Sequence, residues 1–402
     1  MTLAFHPVPG VRLGTAAAGI RYPDRQDLLL IEIPVGATCA AVFTRNAFCA
    51  APVVVARRHV AAAAPRYLLV NSGNANAGTG HRGLTDAIAS CEALAQLTGC
   101  ALEEVLPFST GVIGEHLPVD RLAAALPAAL AALRVDGWEG AARAIMTTDT
   151  VPKLVSRRFA VGSAGADATL TGICKGAGMI RPDMATMLAY LATDAAVDRG
   201  LLQACLQEAV DVSFNAITVD GDTSTNDACV LAAGGTLGNA TITDPQSPDY
   251  QSLRDAVTAV CQELATAIVR DGEGATKLVT ILIEEATDAT EARRVADAIA
   301  HSPLVKTALF ASDPNWGRIL AAVGRAGLDG LDIDRVRIWL GDTLIVCDGG
   351  RAAAYTEAAG RAVMAEQEVL IRVALGRGQA GSRVLTCDLS YDYVRINAEY
   401  RS

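Results

Sequence analysis

Residues 174–192 read CKGAGMIRPDMATMLAYLA, and they carry the densest chemical pattern in the chain. The end of the stretch, MLAYLA, has the short apolar character of a buried strand. A strand alone does not account for Gly176, Gly178 and Pro182 before it. Glycine lets a backbone approach a reactive group closely, and proline fixes φ and removes a donor. Between them and the strand, Thr186 directly follows a small residue, Ala185. A threonine so placed can attack its own preceding peptide bond and emerge as an N-terminal residue. A threonine hydroxyl beside its own α-amine is an activated nucleophile. On these residues alone, an ordinary strand start competes with that reading.

The composition permits an enzyme with a large core. The chain has 402 residues, of which 51% are hydrophobic and 19% charged, enough for more than one packed unit. A net charge of −10 argues against nucleic acid or an anionic membrane as partner, since both require basic surface. The opening MTLAFHPVPGVRLG lacks the apolar region of a signal peptide. The apolar stretch from Leu122 to Leu133 is broken by Pro127 and too short for a bilayer. The ten cysteines are scattered without a C-x-x-C pair and are expected to be reduced core residues. The expected location is the cytoplasm.

Apolar β-rich runs alternate with Ala/Leu-rich helical runs, giving an α/β class. Leu28–Pro34, Tyr67–Val70 and Met187–Ala192 read as strands, and Phe159–Val161 with Ala168–Cys174 as a hairpin. Thr85 is expected to cap a helix over Asp86–Leu97 that stops at Gly99, and Pro127 to bend or split a helix over Val119–Leu133. Further helices are expected near Leu201–Val212, Leu253–Val269 and Glu291–Ala300. The β-rich end suggests a main α/β body over 1–285 and a smaller C-terminal α/β lobe over 286–402.

One familiar pattern fails its context. Gly376, Gly378 and Gly381 form G-x-G-x-x-G, but a dinucleotide site needs a helix next. The β-like SRVLTCDLS follows instead, so a hairpin turn is expected. No P-loop or H-E-x-x-H occurs, and the five histidines have no metal-ligand spacing. PFSTGVIGE (107–115) reads as a polar loop placing Thr110 beside Gly111. AIMTTDT (144–150), TVDGDTSTND (218–227), DGEGATK (271–277) and the closing YVRINAEYRS each admit a bland reading as turns, a solvated loop or a frayed end.

Taken in chain order, NSGNANAGTG, STGVIG, MTTD, KGAGMIRPDMATML, TVDGDTSTND, DGEGATK, KTALFASDPNWGR and DYVRINAEY closely resemble the ornithine acetyltransferase family of arginine biosynthesis. The resemblance runs from about Asn71 to Ser402. It implies an αββα sandwich of the self-processing aminopeptidase and ornithine acetyltransferase kind, with the smaller lobe appended. It also implies cleavage between Ala185 and Thr186 into chains 1–185 and 186–402, assembled as a heterotetramer of two of each.

The implied reaction takes acetyl from N-acetylornithine onto Thr186 and passes it to glutamate, releasing ornithine and then N-acetylglutamate. By the resemblance, Thr110 and Gly111 form the oxyanion hole, and Thr147, Lys175, Thr186, Glu273, Asn397 and Ser402 contact substrate. On charge, Lys175 suits an amino-acid carboxylate and Glu273 an amine. No cofactor or metal is implied, and acetyl-CoA is left open as an additional donor. The alternatives are a self-processing aminopeptidase or amidase that passes the acyl group to water, and a non-catalytic amino-acid-binding protein.

Overall fold

Leu28, Leu29, Leu30 and Ile31 are consecutive and all buried, the pattern of a strand covered on both faces. The computed structural model describes residues 4–162, 165–181 and 187–399. It divides into two units, Met1–Asn215 with Asp222–Ile268, and Ala216–Gly221 with Val269–Ser402. In the first unit, β1 (Arg12–Ala16), β2 (Leu28–Glu32), β4 (Tyr67–Asn74) and β5 (Val105–Val112) form one sheet in that order. A second sheet is built from β3 (Thr38–Phe43), β6 (Lys153–Val161), β7 (Ala166–Lys175), β8 (Leu188–Thr193) and β9 (Ala228–Ala233), in the order β3-β9-β8-β7-β6.

Successive strand side chains point to opposite faces, and this alternation builds the layers. Leu29 and Ile31, Leu68 and Val70, and Leu106 and Phe108 meet Ile173, Tyr190 and Val230 in a core between the sheets. The rings of Phe108 and Tyr190 meet edge to face there, with centroids 5.3 Å apart. Leu28, Leu30, Tyr67 and Leu69 face outward and pack with α1 (Ala51–Ala62), α2 (Gly80–Thr98) and α3 (Val119–Ala131). The short α4 (Trp138–Ala144) sends Trp138 into the inter-sheet core. Behind the second sheet, α5 (Arg199–Asp211) packs on β3. A Cβ on Gly172 of β7 would come within 3.2 Å of Val260 and Leu264 of α6 (Pro248–Arg270). The first unit is therefore the expected αββα sandwich.

The second unit carries one six-stranded sheet in the order β13-β12-β11-β14-β10-β15. Its strands are β10 (Leu278–Ala286), β11 (Arg337–Leu340), β12 (Thr343–Cys347), β13 (Gly350–Arg351), β14 (Glu368–Ala374) and β15 (Ala380–Cys387). Val279, Ile281 and Ile283 of β10 join Val295 and Ile299 of α7 (Ala289–Ala300), Leu309 of α8 (Pro303–Phe310) and Ile319 of α9 (Trp316–Gly324) in its core. Met364 of α10 (Glu357–Met364) closes the same core, and α11 (Tyr391–Ala398) follows β15. Among the described residues no helix is long and apolar enough to cross a membrane.

Four local expectations are corrected. The units divide after Ile268, not after 285, because β10 pairs with β14 and β15 and so belongs to the second sheet. The glycine run at 376–381 does lead into a strand, but it is not a hairpin: β10 lies between β14 and β15. The turn passes over the end of β10, where the Arg377 and Gly378 N–H groups donate to the Glu285 carbonyl. Pro127 does not split helix α3, which continues through it to Ala131; the proline itself is exposed. Helix α2 begins at Gly80, and Thr85 lies inside it, donating back to the His81 carbonyl rather than capping.

Candidate active site

Thr110 and Gly111 lie in strand β5, not in a loop. Ser, Thr and Gly favour turns locally, but here parallel pairing overrides that tendency: Ser72 of β4 stands opposite Thr110 and Gly73 opposite Gly111. The register breaks at Gly73–Asn74, the kind of irregularity that re-aims backbone groups at sites. Gly111 has φ 137°, and a Cβ there would sit 2.3 Å from the Gly73 carbonyl carbon. Only glycine fits. Thr110 is buried, with 8% of its surface exposed.

Thr147 and Lys175 are brought together by a residue that sequence reasoning did not single out. Asp149 accepts from the Thr147 N–H at 3.0 Å, from the Gly176 N–H at 2.6 Å and from Lys153 Nζ at 2.7 Å. One buried carboxylate thus ties the MTTD turn to the glycine-rich approach. Lys175 ends β7 and stands opposite Leu188 of β8, two positions beyond Thr186 in sequence. Burial pushes the Asp149 carboxyl up, but Lys175, Lys153 and the Gly176 N–H outweigh it and hold the group at about 2. The available signal was the aspartate two residues after Thr147 in MTTDT. Its partners lie elsewhere in sequence, so its role was hidden.

This carboxylate predicts an acid response. Its folded pKa is below the ordinary 3.8, so the unfolded state binds the proton more readily. The resulting stability, about 2 kcal/mol, is present above about pH 4 and is lost as pH falls through about 2. An Asp149→Asn/Lys153→Met double variant removes both buried charges. Urea unfolding between pH 4 and 2 should then show a shallower loss of stability than wild type; an unchanged slope would remove Asp149 as its source.

Glu273 and Asn397 meet in the second unit. Asn397 Nδ2 donates to Glu273 Oε2 at 2.7 Å, leaving Glu273 buried at 7% exposure. Asn397 is on α11, a helix capped by Ser390, so this part of the terminus is docked rather than frayed. Two further residues hold it. Ser390 Oγ donates to the Gly274 carbonyl at 2.6 Å. Asp388 accepts from the Thr276 and Lys277 N–H groups at 2.8 and 2.9 Å and from the Thr276 hydroxyl at 2.5 Å. A Cβ on Gly274 would lie 2.5 Å from the Tyr393 nitrogen, so glycine permits the close approach. DGEGATK is therefore a docking segment for the C-terminal helix, not a solvated loop.

Ala185, Thr186 and Ser402 lie outside the described residues. Among the described residues, no group of three His, Cys, Asp or Glu side chains is placed to hold a metal ion.

Similarity to known proteins bears on this arrangement. The ArgJ family profile matches residues 12–402. The chain is 64% identical over 396 residues to the arginine biosynthesis bifunctional protein ArgJ of Methylococcus capsulatus, covering 98% of this chain and 96% of that protein. It is 55% identical over 399 residues to the protein of the same description from Pseudomonas syringae pv. tomato, covering 99% and 98%. A crystal structure of arginine biosynthesis bifunctional protein ArgJ from Bacillus halodurans matches with TM-score 0.50 and 41% identity, over 52% of this chain and 98% of that one. The chain belongs to the ArgJ family and is an enzyme, an acyltransferase of arginine biosynthesis.

Proposed function

We propose that this chain cuts itself between Ala185 and Thr186 and then carries acetyl from N-acetylornithine to glutamate on Thr186. The observation that carries the reading is the junction at Asp149. It fixes Thr147 and the Lys175–Gly176 turn to one another, with Lys175 registered against the strand that follows Thr186. Chain length adds support, because the matched Bacillus halodurans chain is about half as long as this one.

In the proposed maturation, Thr186 Oγ attacks the Ala185 carbonyl and the Thr186 nitrogen leaves, giving an ester; water then hydrolyses it. The product is a carboxylate on Ala185 and a free α-amine on Thr186. That amine, with an ordinary pKa of about 7.7–8.0, is near operating pH and can accept the hydroxyl proton. In turnover, Thr186 Oγ attacks the acetyl carbonyl of N-acetylornithine, and protonated ornithine nitrogen departs. The amine of glutamate then attacks the acetyl ester, releasing N-acetylglutamate and restoring the hydroxyl. The Thr110 hydroxyl and Gly111 N–H hold the oxyanion in both tetrahedral intermediates. Lys175 receives the α-carboxylate, and Glu273, oriented by Asn397, receives an amine. Ser402 completes the contacts. The mature assembly in this reading is a cytoplasmic heterotetramer of two 1–185 and two 186–402 chains.

The deciding assay supplies N-acetylornithine or acetyl-CoA as donor and glutamate as acceptor, with a water blank. Transfer to glutamate well above the blank supports the transferase; equal rates with and without glutamate would favour the hydrolase. The acetyl-CoA arm decides whether that donor also serves. On the site itself, Lys175→Met should raise KM for both substrates, while Glu273→Gln should keep the fold and impair turnover. Charge-assisted contacts predict losses of about 10–150-fold in kcat/KM. Wild-type kcat/KM in both cleaved variants would place these residues outside the pocket.

A further inference from the structure

The segment TVDGDTSTND ends in two buried polar residues that reach different strands of the first unit. Asn226 Nδ2 donates to the Ser109 carbonyl at 2.9 Å and to the Ala75 carbonyl at 2.6 Å. Its own carbonyl accepts from the Thr225 hydroxyl at 2.6 Å, so the amide orientation is fixed. The Ser109 carbonyl shares its peptide plane with the Thr110 nitrogen. Asn226 therefore pins the peptide that leads into Thr110 and Gly111.

Asp227 faces the other sheet. Its carboxyl accepts from the Met187 N–H and from the Ser224 hydroxyl and N–H, with Lys175 near enough to act on its charge. The next residue holds the same peptide neighbour, because the Ala228 N–H donates to the Met187 carbonyl at 3.0 Å. Both polar groups of Met187, the residue after Thr186, are thus bound by residues 227 and 228. The backbone around the pair is anchored as well: the Ala50 N–H donates to the Thr225 carbonyl and the Thr44 N–H to the Asp227 carbonyl, each at 2.9 Å. Asn226 and Asp227 are 6% and 3% exposed.

We infer that Asn226 and Asp227 are positioning residues that set the distance between the oxyanion-hole strand and the strand that follows the nucleophile in sequence. The inference rests on the assignment of Thr186 and Thr110 above. Adjacent residues cannot move far apart, so pinning Ser109–Thr110 with one and Met187 with the other couples the two strands. A reacting acyl group needs its nucleophile and oxyanion donors held together within a fraction of an ångström. Burial pushes the Asp227 carboxyl well above the usual carboxylate range, against the pull of Ser224, Lys175 and Met187. The environment thus favours an uncharged acceptor, which asparagine can imitate.

Four variants test this: Asn226→Ala, Asp227→Ala, Asp227→Asn and, in parallel, Thr186→Ala. Each is checked for folding by thermal melting, then for self-cleavage rate, kcat and KM. Asn226→Ala and Asp227→Ala should slow self-cleavage and lower kcat by about 10–100-fold, with KM for N-acetylornithine changed by less than about threefold. Asp227→Asn should recover most of the loss, since its side-chain oxygen still accepts from Met187. A purely structural role would lower the melting temperature without that kcat–KM split. Wild-type kcat in folded Asn226→Ala and Asp227→Ala, beside an inactive Thr186→Ala, would overturn the inference alone. If Asp227→Asn were as impaired as Asp227→Ala, the acceptor role would be overturned in favour of charge. Activity in Thr186→Ala would overturn the nucleophile assignment first and this role with it.

Discussion

Thr186→Ala is expected to remain a single 41.7 kDa chain and to lose turnover by on the order of 10⁶-fold, as removal of a covalent nucleophile does. The wild-type chain should instead run on a denaturing gel as two bands, each roughly half that mass. Sequencing the larger from its N-terminus should begin Thr-Met-Leu-Ala. One oxygen serves both reactions in this mechanism, first on the Ala185 carbonyl and then on the acetyl carbonyl. Cleavage and turnover must therefore fail together. Thr186→Ser keeps a hydroxyl and should keep both, at reduced rate. A fragment starting at any residue other than Thr186 would move the nucleophile and sink the mechanism.

How much of this was legible in the sequence depends on how local each determinant is. The unbroken apolar run at 28–31 marked a strand, and the fold adds that Leu29 and Ile31 pack opposite to Leu28 and Leu30. The stop at Gly99, which adopts φ 71° beyond α2, was equally local. PFSTGV was misread because its residues favour turns in isolation, while its strand conformation comes from pairing with Tyr67–Asn74 far earlier in the chain. Helix α11 is eight residues long with no buried side chain, too short to announce itself by periodicity. Its contacts with 273–277 show what holds it.

The same division separates the site residues. Candidate groups with distinctive chemistry, such as Lys175 within a glycine-rich run or the Thr110–Gly111 pair, could be named from pattern and resemblance. Asp149, Asn226 and Asp227 act through partners in other segments, among them the Gly176 N–H, the Ser109 carbonyl and the Met187 N–H. An Asp or Asn in a hydroxyl-rich stretch is usually a turn residue, so only the fold distinguishes these. Buried polar groups of this kind need their partners satisfied, and here those partners lie in strands distant in sequence.

Thr110→Ala should lower kcat by about 10²–10³-fold, the usual loss for one oxyanion donor. The hydroxyl is proposed to act on charge that develops only as the acyl carbon becomes tetrahedral, so KM for N-acetylornithine should change far less than kcat. The backbone supports a clean test. Thr110 lies in a paired strand, and β-strand geometry tolerates removal of a side chain without loss of the ladder. Gly111 offers no comparable variant, since any Cβ there would strike the Gly73 carbonyl carbon at 2.3 Å. Self-cleavage passes through a tetrahedral intermediate of its own and should slow as well if it uses the same donor. The measurement must therefore be made on fully matured enzyme, with the cleaved fraction fixed by gel before kcat is taken. Thr110→Ser, which restores a hydroxyl on a smaller side chain, should regain most of the rate. An unchanged kcat in fully cleaved Thr110→Ala would assign the oxyanion to other donors, and recovery in Thr110→Ser would have no explanation except the hydroxyl.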